Sequence, residues 1–224
     1  MKTAWLGEAK VKKHFVNQLL EHRRLEHLVQ GVGFEKNGTT KGCNIGCLFE
    51  HYDHAKGEQE SGIPEVLLRL ADTIFEGLPA KKANDFAVEW PKAIKPGADI
   101  SRVRWQFCAF ILKENIERVL LLKIEDKLKE QVVSAIKGVC DLHEKAAITG
   151  EWNQSAATAA ARSARSAAWS AWSAARSAAR SAAWSAESAA WSSAWSAASA
   201  AESAAYIRYA NEFIRLLKAC KRSK

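Results

Sequence analysis

The chain has 224 residues, 33 basic and 25 acidic, for a net charge of +8. That length allows one sizeable core or two small ones, and the basic balance admits nucleic acid, an anionic surface or an acidic protein as partner. No apolar run approaches the roughly 18 residues that span a bilayer and no signal-peptide core stands at the N-terminus, which predicts no membrane partner and a soluble, cytoplasmic protein. The 5 cysteines are odd in number and lack compact spacing, as reduced thiols would.

Taken in order, residues 8–30 place Val11, Phe15, Val16, Leu19 and Leu20 at helical spacing, and Gly31 and Gly33 are the expected stop. Residues 37–42 read as a turn, followed by a helix over 43–56. Pro64 marks the start of a helix whose apolar face is Val66, Leu67, Leu70, Ile74 and Phe75. Pro79 opens a further segment containing Phe86, Val88 and Trp90, and Lys95-Pro96-Gly97 closes it. Asp99 or Ser101 can cap a helix bearing Val103, Phe107, Phe110 and Ile111. From Ile116 to Ala147, Leu120, Ile124, Leu128, Val132 and Ile136 recur every fourth residue, so a last N-terminal helix is expected there.

All 4 prolines and all 12 glycines lie at or before Gly150. Beyond it, serine recurs every three or four residues from Ser163 to Ser203, a mean spacing of about 3.6, the pitch of an α-helix. A large residue precedes nearly every serine, and alanine fills most of the remainder. Wound as a helix, the large residues form one stripe: Trp169, Trp172, Arg176, Arg180, Trp184, Trp191 and Trp195. Residues 152–219 as one rod would be about 100 Å long, so either a partner covers the rod or it bends, with Ser192-Ser193 the expected bend. No segment alternates as a strand does. The expectation is an all-α protein: a compact helical domain over 1–150, then a long Ala/Ser/Trp striped helix or helical hairpin with a basic tail over 151–224.

The blocks Gly42-Cys43-Asn44-Ile45-Gly46-Cys47, Gly62-Ile63-Pro64 through Pro79, and Trp90-Pro91 through Ser101 resemble an uncharacterised bacterial and phage protein family. That family pairs a Gly-Cys-x-x-Gly-Cys block with an alanine-rich C-terminal region. Thr39 and Thr40 lengthen the turn before the first block relative to the family pattern. The resemblance implies domain identity and, through genome type, a phage accessory or immunity-type role; it brings no chemistry with it.

Cys43, Cys47, His51 and His54 fall on one stripe of the expected 43–56 helix. Thiolates with imidazoles are zinc ligands, yet the ends of the stripe would lie roughly 16 Å apart, so no single ion reaches all four. One adjacent pair could bind zinc with help from another element, or Cys43, near a helix N-terminus, could be a reactive thiol. The plainer alternative is that both cysteines are small core residues.

The Trp/Arg stripe also has two readings. Turned inward it covers the N-terminal helices; turned outward it has the composition of an interface hot spot. Three function classes follow. The first is a non-enzymatic interaction protein that uses the striped helix for packing and for binding a protein partner or a second copy. The second is a Cys/His-dependent enzyme or metal-binding protein, for which zinc is the cofactor. The third is a nucleic-acid binder, disfavoured because Glu151, Glu187 and Glu202 offset much of the arginine charge in the repeat.

Overall fold

The structure, a computed structural model, describes residues 3–36, 40–159 and 189–223, with the backbone alone over 189–199. It is all-α apart from one very small hairpin. The chain forms two compact units, Met1–Arg104 with Ala200–Lys224, and Trp105–Ser199. Gly150, the boundary expected from composition, is the left-handed C-cap of a helix (φ 79°). The end of the last helix belongs with the N-terminal residues in the first unit. No helix among the described residues is long and apolar enough to cross a membrane.

In the first unit, a 3-10 turn over Ala4–Gly7 buries Trp5, whose indole N–H donates to the Ile94 carbonyl at 3.1 Å. Helix α1 spans Ala9–Arg24 and buries Phe15, Val16, Leu19 and His22 along one face. It ends earlier than the sequence predicts. Glu26 adopts φ 57° and the His27 N–H turns back to the His22 carbonyl at 2.9 Å, so the chain leaves the helix before Gly31 is reached. Strands β1 (Phe34–Glu35) and β2 (Lys41–Gly42) pair antiparallel, with Phe34 opposite Gly42.

The expected helix over 43–56 is two helices. Helix α2 (Asn44–Phe49) stops where Glu50 takes φ 56°, and α3 (His54–Ser61) starts afresh with Asp53 as N-cap, its carboxylate accepting from the Lys56 N–H at 3.0 Å. Helices α4 (Glu65–Gly77) and α5 (Ala80–Ala93) begin directly after Pro64 and Pro79, which serve as N-caps. Pro91 lies inside α5, in its last turn, where only one helical hydrogen bond is forgone.

Helix α6 (Val103–Leu121) begins in this region and extends into the second unit, where α7 (Asp126–Thr149) follows. The helix expected from Ile116 to Ala147 is thus divided between them at residues 122–125. Lys113 pairs with Glu144, the Cys140 thiol donates to the Ala109 carbonyl at 3.7 Å, and Trp105 stacks on Trp152 at 4.5 Å with 12° between the planes. Residues 154–159 are helical, and the Asn153 side chain accepts from the Ala156 N–H at 2.9 Å.

Helix α8 (Ala189–Ala219) passes through Ser192-Ser193 without a break, so the bend expected there is not present. Alanine and serine carry too small a helix penalty to end a helix without a Gly or Pro. The last turns of α8 complete the first unit: Phe213 is 0% exposed and lies 6.4 Å from Phe86 and 6.5 Å from Trp90, ring centre to ring centre. The tail then pairs with the 97–99 turn, the Asp99 N–H donating to the Lys221 carbonyl and the Ser223 N–H to that of Gly97.

Candidate functional site

Cys43 is the N-cap of α2, and its backbone is pinned from outside the helix. Its N–H donates to the Val32 and Gly33 carbonyls at 2.6 and 3.1 Å, while Sγ accepts from the Gly46 N–H at 3.4 Å. These bonds need close approach of the 32–34 backbone to α2, and Gly46 permits it: a Cβ there would lie 1.9 Å from the Gly33 oxygen. The Cys43 side chain consequently points toward α4, where Asp72 and Glu76 stand one turn apart. One donor atom from each of Cys43, Asp72 and Glu76 lies within 4.8 Å of the others.

Asp72 is the centre of the cluster. It is 7% exposed; its Oδ2 accepts from the Tyr52 hydroxyl at 2.7 Å and lies 3.6 Å from His54 Nε2. Tyr52 lies against Gly33, its ring within 2.8 Å of where a Cβ on that glycine would be, and meets His54 edge-on with centroids 5.0 Å apart. Glu76, the exposed member, accepts from the Gly31 N–H at 2.7 Å. Asn44, fully buried beside Cys43, donates to the Ala71 carbonyl and so ties α2 to α4.

The expected four-residue stripe therefore splits. Cys43 and His54 converge on the Asp72 carboxylate from different elements. Cys47 faces the other way, its thiol donating to the Gly42 carbonyl at 3.4 Å, and His51 contacts Glu60 at 3.0 Å. The kink at Glu50 is the physical reason, because it ends the helical phase that would have aligned all four. Asp72, Glu76 and Tyr52 did not emerge from the sequence as candidates. A usable signal existed for Asp72: it lies among Leu67, Leu68, Ala71, Ile74 and Phe75, the buried positions of α4.

Electrostatics here oppose free charge. Burial, followed by the negative charge of Asp72, pushes the Cys43 thiol well above its ordinary range, and burial pushes the Cys47 thiol up to about 12. The hydrogen bond to Asp72, then burial, raises the Tyr52 hydroxyl. Burial raises Glu76 against the opposing Gly31 N–H, and burial lowers His54 although Asp72 partly offsets it. Thiols held in the protonated form are poor nucleophiles.

A second polar group joins the end of α1 to this region. His22 Nδ1 and His27 Nδ1 are 3.0 Å apart, His22 Nε2 lies 3.5 Å from a Glu50 oxygen, and the other Glu50 oxygen pairs with Lys36 at 3.2 Å. Burial lowers the His22 pKa below its ordinary 6.5; Glu50 opposes the shift, while His27 and Lys36 add to it. The folded state thus takes up this proton less readily than the unfolded chain, so the His22 contribution to stability is complete above about pH 6.5 and is lost as pH falls through the lowered native value. Urea midpoints followed from neutral pH into the acid range should decline, and His22→Gln should make the decline shallower. An unchanged slope in that variant would remove His22 as the cause.

Of the stripe residues, Trp169, Trp172, Arg176, Arg180 and Trp184 lie outside the described residues, and Trp191 and Trp195 fall in the first turns of α8, where the backbone alone is described. The stripe's phase continues along α8 to Tyr206, Tyr209, Phe213 and Leu217. Tyr206 lies so close to Gly77 that a Cβ there would come within 2.2 Å of its ring, and Phe213 and Leu217 are buried. In the second unit, Leu120, Leu121 and Leu122 at the end of α6 are 54%, 83% and 50% exposed. A groove of about 790 Å³, lined by Lys10, His14, Phe15, Gln18 and Glu60 among others, does not include the Asp72 cluster. No protein-family model, curated protein or solved structure matches this chain.

Proposed function

We propose that this chain is a non-enzymatic interaction protein. The observation that carries the reading is the run of three exposed leucines at the end of α6, since consecutive large apolar side chains left in water mark contact surfaces. The striped repeat is the second contact element of this proposal. Farther along α8 the in-phase residues Tyr206, Phe213 and Leu217 pack within the first unit itself, the inward use of the same register. Nucleophilic catalysis by Cys43 or Cys47 receives less support, because burial keeps both thiols protonated. In the form that the family resemblance implies, the partner belongs to a phage or bacterial immunity system, and the identity of the adjacent genes tests that form.

The direct test is self-association and partner capture by Leu121→Asp. The side chain is 83% exposed, so the change should alter stability by no more than about 0.5 kcal/mol. Light scattering over a concentration series, with quantitative pull-down, should show association in the wild type that Leu121→Asp and Trp184→Ala each weaken. Equal association in wild type and both variants, with unchanged melting, would reject the reading.

A further inference from the structure

We propose that Cys43, Asp72 and Glu76 form a binding site for a transition-metal dication of the zinc class, with Tyr52 and His54 positioning Asp72 from behind. The proposal stands apart from the interaction reading and uses none of its residues.

Donor atoms bound to one tetrahedral zinc, at about 2.0–2.3 Å from the metal, are separated from each other by about 3.3–3.8 Å. One donor from each of the three residues already falls within 4.8 Å of the others, so small side-chain rotations bring them to coordination distance. The backbones holding them are fixed by other means: Cys43 by the Val32 and Gly33 carbonyls, and Asp72 and Glu76 by adjacent turns of α4.

Asp72 Oδ1 is buried with no hydrogen-bond partner, although its sister oxygen accepts from Tyr52. His54 Nε2, on a residue 6% exposed, is likewise buried without one, 3.6 Å from Asp72 Oδ2. Buried polar atoms are nearly always satisfied, and a cation that displaces the neighbouring Cys43 thiol proton would satisfy this oxygen together with the thiolate and the second carboxylate. The roles then divide naturally: Oδ1 faces the metal, and Oδ2 is held by the Tyr52 hydroxyl with the His54 imidazole 3.6 Å away, the outer-shell arrangement that orients metal ligands.

Ligand chemistry chooses the ion. A thiolate with two carboxylates favours zinc, cobalt or cadmium over magnesium and calcium, which take oxygen donors only. As the metal–sulfur bond forms, the Cys43 S–H proton passes to water. Glu76 is the exposed member, so a water molecule completes the coordination on that side.

Cobalt(II) titration of the full chain, stripped with a chelator, tests the site. One equivalent should produce a thiolate-to-cobalt charge-transfer band in the near ultraviolet, abolished by zinc and untouched by excess magnesium or calcium. Cys43→Ser should remove the band. Glu76→Gln, at an exposed position that leaves folding intact, and Tyr52→Phe, which removes only the hydroxyl, should each weaken cobalt binding about tenfold or more while the band persists. Circular dichroism melting of each variant separates lost binding from lost folding. Absence of a band in the wild type, or a full band at one equivalent in Cys43→Ser, overturns the proposal. So does unchanged affinity in a folded Glu76→Gln.

Discussion

Gly46→Ala should destabilise the first unit by at least about 3 kcal/mol or prevent it from folding. In an isolated helix the same change is favourable by about 1 kcal/mol, because alanine loses less backbone entropy than glycine. Here the added methyl would lie 1.9 Å from the Gly33 carbonyl oxygen and 3.1 Å from the Phe34 Cβ. Neither is the movable end of a long side chain. Relief would require the 32–34 backbone to retreat from α2, breaking the bonds from the Cys43 N–H and freeing the Tyr52 ring that lies on Gly33. Gly138→Ala in α7 is the matched control: among the described residues nothing lies within 4 Å of the place its methyl would take, so that variant should gain about 1 kcal/mol. Urea unfolding of both gives the answer, and two changes of the same sign would show that the contact with Gly33 does not decide the outcome.

The second large effect is expected at Phe213. Its ring is fully buried against Phe86 and Trp90, and truncation to alanine in such a site costs about 3–5 kcal/mol, from lost burial and from the cavity left behind. The loss should be felt along α8, since Tyr206 on Gly77, Leu217 and the tail pairing with the 97–99 turn all hold the same segment. Hydrogen exchange should speed up across residues 205–219 and at Asp99 in Phe213→Ala, with the melting temperature falling alongside. Protection that stays at wild-type level in 205–219 would mean that this segment is held without the aromatic contact.

Both effects depend on contacts between elements far apart in the chain, which bears on what could be read in advance. The helix start after Pro64 was legible because proline fixes the local backbone and needs no partner to do so; at Pro79 only a new segment was, and the structure shows it to be α5. The end of α7 at Gly150 was legible for a similar local reason, the left-handed cap that glycine adopts without strain. The breaks at Glu26 and Glu50 were not, since a non-glycine residue enters the left-handed region only when its surroundings compensate for the cost. At Glu50 those surroundings include Lys36 and His22, on two other segments.

The acid–thiol cluster was legible only in part for the same reason. Cys43 and His54 stood out as residue types, and the structure brings both to one carboxylate. Their alignment on a single helix failed at Glu50, and Asp72 and Glu76 reach Cys43 only because α4 packs against α2, tied to it by the Asn44 side chain on the Ala71 carbonyl.

By itself the sequence determined the all-α class and the helix start after Pro64, because each follows from backbone preference and periodicity within one segment. Tertiary structure alone decided which cysteine meets which carboxylate, where α1 and α2 stop and which face of α8 is buried, because those outcomes depend on burial and hydrogen bonding between segments whose separation along the chain carries no local trace.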